Sequence, residues 1–189
     1  MNEALSKPVK RRPVLFAFIT IVCVFGAVES LNLIENRRSL TTCRRSTTQA
    51  TVTAIEMAVI SFYTEYGAMP DVRSRVRTNA PEGVKLLRIL LGLEMNAANR
   101  QNPRGIKFLN VKEGKDNRNG LVYSSTTNIP EGIYDKWGNP YTVELDADYN
   151  EELHFTVASR TVDLKGRRVA AYSPGQDKKL GTADDVKNW

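Results

Sequence analysis

Thr51-Val-Thr-Ala-Ile-Glu-Met-Ala-Val-Ile-Ser-Phe-Tyr-Thr-Glu-Tyr-Gly-Ala-Met-Pro70 decides the fold of this chain. Val52, Ile55, Val59, Phe62, Tyr63 and Tyr66 recur at three- and four-residue steps, which draws one apolar stripe along a helix. Gly67 suits the position just past a helix end, and Pro70 prevents the helix from resuming. Thr47, Thr48, Thr51 and Thr53 have modest helix propensity, so this part of the helix depends on packing. Upstream, only Gly26 interrupts the stretch from Val14 as a Gly or Pro. An unbroken helix would therefore run for about fifty residues, or roughly 80 Å.

The start of that helix reads as a membrane anchor. Lys7, Lys10, Arg11 and Arg12 precede an uncharged apolar run from Val14 to Val28. A full span needs about twenty residues. Leu31, Leu33 and Ile34 extend the run to that length, past Glu29. A cleaved secretory signal has the same form, but Val28-Glu-Ser30 is a poor cleavage site. The retained anchor is the preferred reading, with its basic start on the cytoplasmic side. Arg37, Arg38, Arg44 and Arg45 follow the run and make the charge asymmetry modest. Glu29 either sits at the interface or meets an Arg of a neighbouring subunit, since charges among apolar helices are usually paired.

Charge is unevenly placed along the 189 residues, which carry a net +6. Residues 1–45 hold eight Lys/Arg against three Asp/Glu, and the other 144 hold nineteen against eighteen. The body is nearly neutral, which argues against a nucleic-acid-binding face. Arg73, Arg75 and Arg77 read as a solvated loop. Cys23 and Cys43 lie roughly 30 Å apart on one helix, far beyond the ~7 Å that a disulfide tolerates. They give neither a disulfide framework nor a zinc spacing. His154, the only histidine, has no partner set for a triad or a zinc site. There is no Gly-rich phosphate loop, reactive-serine motif or CxxC. Nothing in these motifs points to an enzyme.

Past the long helix, Asn79-Ala-Pro-Glu82 opens a second one, with Pro81 and Glu82 in its first turn. Val84, Leu86, Leu87, Leu90 and Leu91 form its apolar side, and Gly92 ends it. Glu94 to Pro140 reads mainly as loop, anchored by Ile106, Phe108, Leu109, Val122 and Tyr123. Asp135-Lys-Trp-Gly-Asn-Pro-Tyr141 is a turn flanked by aromatics, and Trp137 and Tyr141 read as caps on a core. Three strand candidates follow, Tyr141–Leu145, Leu153–Ala158 and Arg168–Tyr172. Their separators, Asp146-Ala-Asp-Tyr-Asn150 and Asp163-Leu-Lys-Gly166, are turn-like. Short connections imply antiparallel neighbours.

The expected fold is therefore α+β. A long helix, membrane-anchoring in its first half, packs on a small antiparallel sheet of about three strands with an ordered C-terminal loop. The segments are a basic leader (1–12), an anchor (13–36), an amphipathic helix (37–67), a second helix with a long loop (68–140), and the sheet with its terminal loop (141–189).

That loop is Ser173-Pro-Gly-Gln-Asp-Lys-Lys-Leu-Gly-Thr-Ala-Asp-Asp-Val-Lys-Asn-Trp189. Pro174, Gly175 and Gly181 impose turns. Asp177, Asp184 and Asp185 offer hard oxygen ligands, and turned backbone can aim carbonyls at the same point, as calcium requires. Lys178, Lys179 and Lys187 cut the local negative charge. The competing reading is a solvated acidic turn with Trp189 tucked on the body.

Three segments carry a resemblance. Phe62-Tyr-Thr-Glu-Tyr-Gly-Ala-Met-Pro70, the Asp135–Tyr141 turn and the tail resemble those of a type II secretion pseudopilin, closest to the major (G-type) pseudopilin. Lys136 stands where the family's turn has proline, and Val186 where its tail has isoleucine. Residues 71–134 carry little resemblance. The N-terminus departs from the family: no glycine precedes Pro13-Val-Leu-Phe-Ala-Phe, and no Glu sits at the fifth position of the run. The resemblance implies a pilin-like fold and a non-enzymatic structural role. Such subunits stack into a homo-oligomeric filament on the periplasmic side of the bacterial inner membrane, together with other pseudopilins and inner-membrane secretion components. The N-terminus would be cytoplasmic and the head periplasmic. The resemblance also implies calcium in the C-terminal loop, with Asp177 and Asp184 at ligand positions and Asp185 contributing. A type IV pilin or DNA-uptake pseudopilin shares the fold, as would a signal-anchored periplasmic binding module.

Overall fold

The structure, a computed structural model, describes residues 12–94 and 99–189, with side chains from residue 39 onward. The chain divides into two units, Met1–Cys43 and Arg44–Trp189. Helix α1 covers Arg12–Tyr66. The expected anchor, 13–36, with Cys23 and Glu29, lies outside the residues with described side chains. Among the described residues no helix is long and apolar enough to cross a membrane.

The second unit is α+β. After α1 come β1 (Arg75–Arg77), α2 (Pro81–Leu90), β2 (Gly120–Tyr123), β3 (Pro130–Tyr134), β4 (Thr142–Leu145), β5 (Glu152–Val157), β6 (Arg160–Lys165), β7 (Val169–Ser173) and β8 (Val186–Lys187). The main sheet has four strands in the order β1-β4-β7-β8, all antiparallel. Strands β2–β3 and β5–β6 form two separate antiparallel pairs.

The apolar stripe on α1 packs as its spacing dictates. Val52, Ile55, Val59 and Phe62 are buried in one core with Leu86, Leu87 and Leu90 of α2 and with Val143 and Val169 of the sheet. Tyr63 and Tyr66 lie half-buried at its rim. The Gly67 N–H donates to the Tyr63 carbonyl at 2.8 Å and closes the helix where expected. Helix α2 begins at Pro81 and ends before Gly92, also as expected.

Strand β7 explains why the sheet is covered on both sides. Val169 and Ala171 belong to the helix-side core, whereas Ala170 and Tyr172 belong to a second core with Leu153, Phe155 and Val157 of β5. Successive side chains point to opposite faces of a strand. The sheet is therefore sandwiched between the helices and the β5–β6 hairpin. Trp189 completes the second core, edge-on to Phe155 at 5.4 Å and to Tyr172 at 5.5 Å.

Several expectations need correction. Asp163-Leu-Lys-Gly166, read as turn-like, is strand β6 up to Lys165, and the stretch from Glu94 to Pro140, read mainly as loop, holds the β2–β3 pair. The main sheet has four strands rather than about three, and Leu153–Ala158 joins none of them; its residues pair with Arg160–Lys165 in a hairpin. Short connections do not here make β4 and β5 neighbours, because β5 folds over the face of the sheet while β7 takes the place beside β4. Arg73, Arg75 and Arg77 are not a solvated loop throughout. Arg75–Arg77 is an edge strand, with Val76 buried between two exposed arginines.

Candidate functional site

The Asp135–Tyr141 turn and the entrance to the tail form one buried polar network. Asp135 is 1% exposed. Its Oδ1 accepts the backbone N–H of Trp137 at 2.7 Å and of Asn139 at 2.8 Å. Its Oδ2 accepts Asn139 Nδ2–H at 2.7 Å and the Ser173 hydroxyl at 2.6 Å. Asn139 Nδ2 also donates to the Gly175 carbonyl at 2.6 Å. A buried carboxylate persists only when its oxygens are satisfied in this way. Asp135 thus ties the turn to the end of β7 and so fixes where the tail leaves the sheet. The sequence offered a signal for this hub, an Asp opening a turn ahead of Gly138 and Asn139, but not its partner Ser173.

From there the tail folds back on itself. The Asp177 N–H donates to Asp184 Oδ2 at 2.9 Å, and the Thr182 hydroxyl to Asp184 Oδ1 at 2.5 Å. The Lys179 N–H donates to Asp177 Oδ1 at 2.8 Å. The Gly181 N–H donates to Asp185 Oδ2 at 2.8 Å. Only glycine fits at 175. Its φ is +70°, and a Cβ there would sit 2.3 Å from the Asp184 carbonyl oxygen and 2.8 Å from Asp184 Oδ2.

The three predicted carboxylates share one loop, and two of them, Asp184 and Asp185, are shifted in opposite directions. Burial pushes the Asp184 carboxyl toward weaker acidity, but the Thr182 hydroxyl and the amides of Asp177, Gln176 and Asp184 outweigh it and hold the carboxyl below its ordinary range. Asp185 is raised, first by burial and then by the neighbouring charges of Asp184 and Asp177, with the Gly181 amide opposing. Its Oδ1 is buried and makes no hydrogen bond. A small cavity of about 70 Å³ lies beside it, between the tail and the hairpin, lined in part by Tyr172, Thr182 and Trp189.

Among the described residues no three His, Cys, Asp or Glu side chains are gathered as a metal-binding group. Calcium shells mix carboxylates with backbone carbonyls, so side chains alone are half of the test. On the other side, the loop's acidic donors are hard oxygens, Asp185 Oδ1 lacks a hydrogen-bond partner, and Gly175 leaves room beside Asp184 that a Cβ would fill. These residues match calcium in donor type, and Asp177, Asp184 and Asp185 would be the ones to hold it.

Two features of the site leave no mark in the sequence. The edge strand β8 is covered by α1: Arg45 donates to the carbonyls of Asp185 at 3.1 Å and Ala183 at 3.5 Å, and Gln49 to that of Lys187 at 3.0 Å. Toward the opposite edge, Glu144 of the inner strand β4 is buried, with Oε1 accepting from Nε of Arg75 on the edge strand β1 at 2.5 Å and from the Tyr172 hydroxyl at 3.0 Å. The remaining candidates lie outside the tail. Tyr141 is 1% exposed and in the core. Trp137 is half-buried against that core. His154 is exposed on β5, with Asp163 2.8 Å from Nδ1 and Glu152 3.2 Å from Nε2. These two carboxylates, Asp163 first, raise the imidazole above its ordinary value.

No family model, curated protein or solved structure matches this chain.

Proposed function

We propose that this chain is a non-enzymatic, pilin-like subunit of a type II secretion-like pseudopilus. It would be anchored in the bacterial inner membrane by its N-terminal helix, with the head periplasmic and assembled with copies of itself and other pseudopilins. The observation that carries the reading is the Asp135 network. It joins the two segments of strongest resemblance, the turn and the tail, into one buried assembly beside a helix that ends in the third. Calcium in the C-terminal loop, held by Asp177, Asp184 and Asp185, supplies positive charge that neutralises the loop's carboxylates and pins the terminus. Trp189 then keeps the second core closed.

Amine cross-linking of the full-length chain in intact bacterial membranes tests the filament role. A ladder of self-multiples is expected, and a chain captured only as a monomer would sink the reading. Melting with calcium and with chelator tests the ion: a higher midpoint with calcium is expected, and equal midpoints would remove calcium from the proposal. A second reading, a signal-anchored periplasmic binding module, is favoured by the open groove between α1 and the tail, about 850 Å³, lined in part by Thr53, Tyr63, Arg167 and Trp189. Intact-mass analysis of the membrane-extracted protein separates the two. Loss of a leader of about a dozen residues supports pilin-type processing, where a full N-terminus supports the binding module.

A further inference from the structure

We propose that Arg45 and Gln49 are positioning residues of the C-terminal loop, through which α1 sets how well the loop takes up a cation. For the cation, this rests on the calcium reading of the loop. Strand β8 is the last strand of the main sheet. An edge strand presents unpaired carbonyls on its outer side. In an extended segment alternate carbonyls share a side, about 6.6 Å apart. Residues four apart on a helix lie on one face and rise about 6 Å. Arg45 and Gln49 are such a pair, and they reach the Asp185 and Lys187 carbonyls at 3.1 and 3.0 Å. The helix and the strand edge are in register.

The Arg45 fork adds a second contact. Its two terminal nitrogens donate to the carbonyls of Ala183 and Asp185, which bracket Asp184. A guanidinium holds two acceptors in a fixed plane, which an ammonium cannot. With those carbonyls turned to the helix, Asp184 is held where it accepts Thr182 and Asp177. Asp185 is held with Oδ1 buried and unpartnered. Arg45 also carries a positive charge that repels a cation. Loss of the residue therefore has opposite consequences under the two roles: positioning predicts weaker binding, and mere charge predicts tighter binding.

The test is calcium titration of the full-length chain in detergent, with calcium chloride as the only probe. Amide exchange is followed in parallel in chelator. Arg45→Ala, Arg45→Lys and Gln49→Met are compared with the native chain. Each is expected to weaken calcium binding, roughly tenfold for Arg45→Ala, the scale of one or two lost hydrogen bonds. Arg45→Lys keeps the charge and loses the fork, so it should resemble the alanine variant. In chelator, amides of 182–188 should exchange faster in all three variants. Native-like or tighter calcium binding in Arg45→Ala overturns the proposal and leaves calcium standing. If the native chain binds no calcium, that earlier reading falls, and the exchange arm decides: unchanged protection of 182–188 in the variants overturns the positioning role, and faster exchange sustains it.

Discussion

At the scale of single residues, Glu144 shows how burial and pairing compete. The carboxylate is buried in the middle of the sheet, and burial raises its proton affinity more than Arg75 and Tyr172 lower it. Arg75 is half exposed and also donates to the Thr156 carbonyl at 2.9 Å, so one guanidinium joins β1, β4 and the hairpin. A folded-state value above the ordinary 4.5 means that the native protein binds this proton more tightly than the unfolded chain. The resulting stabilisation is complete below pH 4.5 and is lost as pH rises through the folded-state value. Glu144→Gln keeps an acceptor for Arg75 and Tyr172 but cannot ionise. Urea unfolding across the range from about pH 4 to 8 should show the native chain losing more stability with rising pH than the variant. Parallel curves would show that Glu144 does not titrate differently in the two states.

At the scale of elements, α2 gives the sharpest test, because two general rules disagree about Gly83. Replacing a helical glycine by alanine ordinarily gains about 1 kcal/mol. Here a Cβ on Gly83 would lie 1.9 Å from the Arg77 carbonyl oxygen, since α2 packs directly on the backbone at the end of β1. Gly83→Ala should therefore cost about 3 kcal/mol, the upper range of overpacking, and a raised urea midpoint would show that the helix simply moves aside. The elements that escape sequence reading do so for physical reasons. β1 is only Arg-Val-Arg, a charged edge strand with one inward residue. β3 opens on Pro130 and contains Gly132, both of which usually argue against a strand. β6 is hidden because Val157 pairs with Arg160 across a turn whose Ala158 takes φ +53°, without the Asn-Gly that announces such hairpins. Helix α1, α2 and their ends are legible because periodicity and glycine or proline stops are local. The site is half legible. Asp177, Asp184 and Asp185 stand out as acids among glycines, while Asp135–Ser173 and Arg45–Asp185 are 38 and 140 residues apart and leave no local pattern.

At the scale of the whole molecule, the unit boundary makes a claim about where the folded head begins. Residues 39–46 are exposed, and burial starts at Thr48 and Val52. Yet Arg45 and Gln49, just at that margin, are the residues that reach the far end of the chain. If the head is a self-sufficient unit from Arg44 onward, a chain of residues 44–189 should unfold in one transition with the full-length head's stability to within about 1 kcal/mol. A chain of residues 54–189 retains Ile55, Val59 and Phe62 but loses Val52, whose full burial contributes about 1.5–3 kcal/mol. It also loses both donors onto β8, each near 1 kcal/mol. Its stability should fall by more than about 3 kcal/mol relative to 44–189, and the loss should appear first as faster amide exchange in 182–188. Equal stability of the two truncated chains would mean that β8 pairing, the Asp135 network and Trp189 hold the tail on the sheet without α1, and that the turn of α1 before Val52 is dispensable to the head. A difference larger than the tail's own exchange can explain would instead place Val52 at the centre of the helix-side core, as its complete burial against α2 and the sheet indicates.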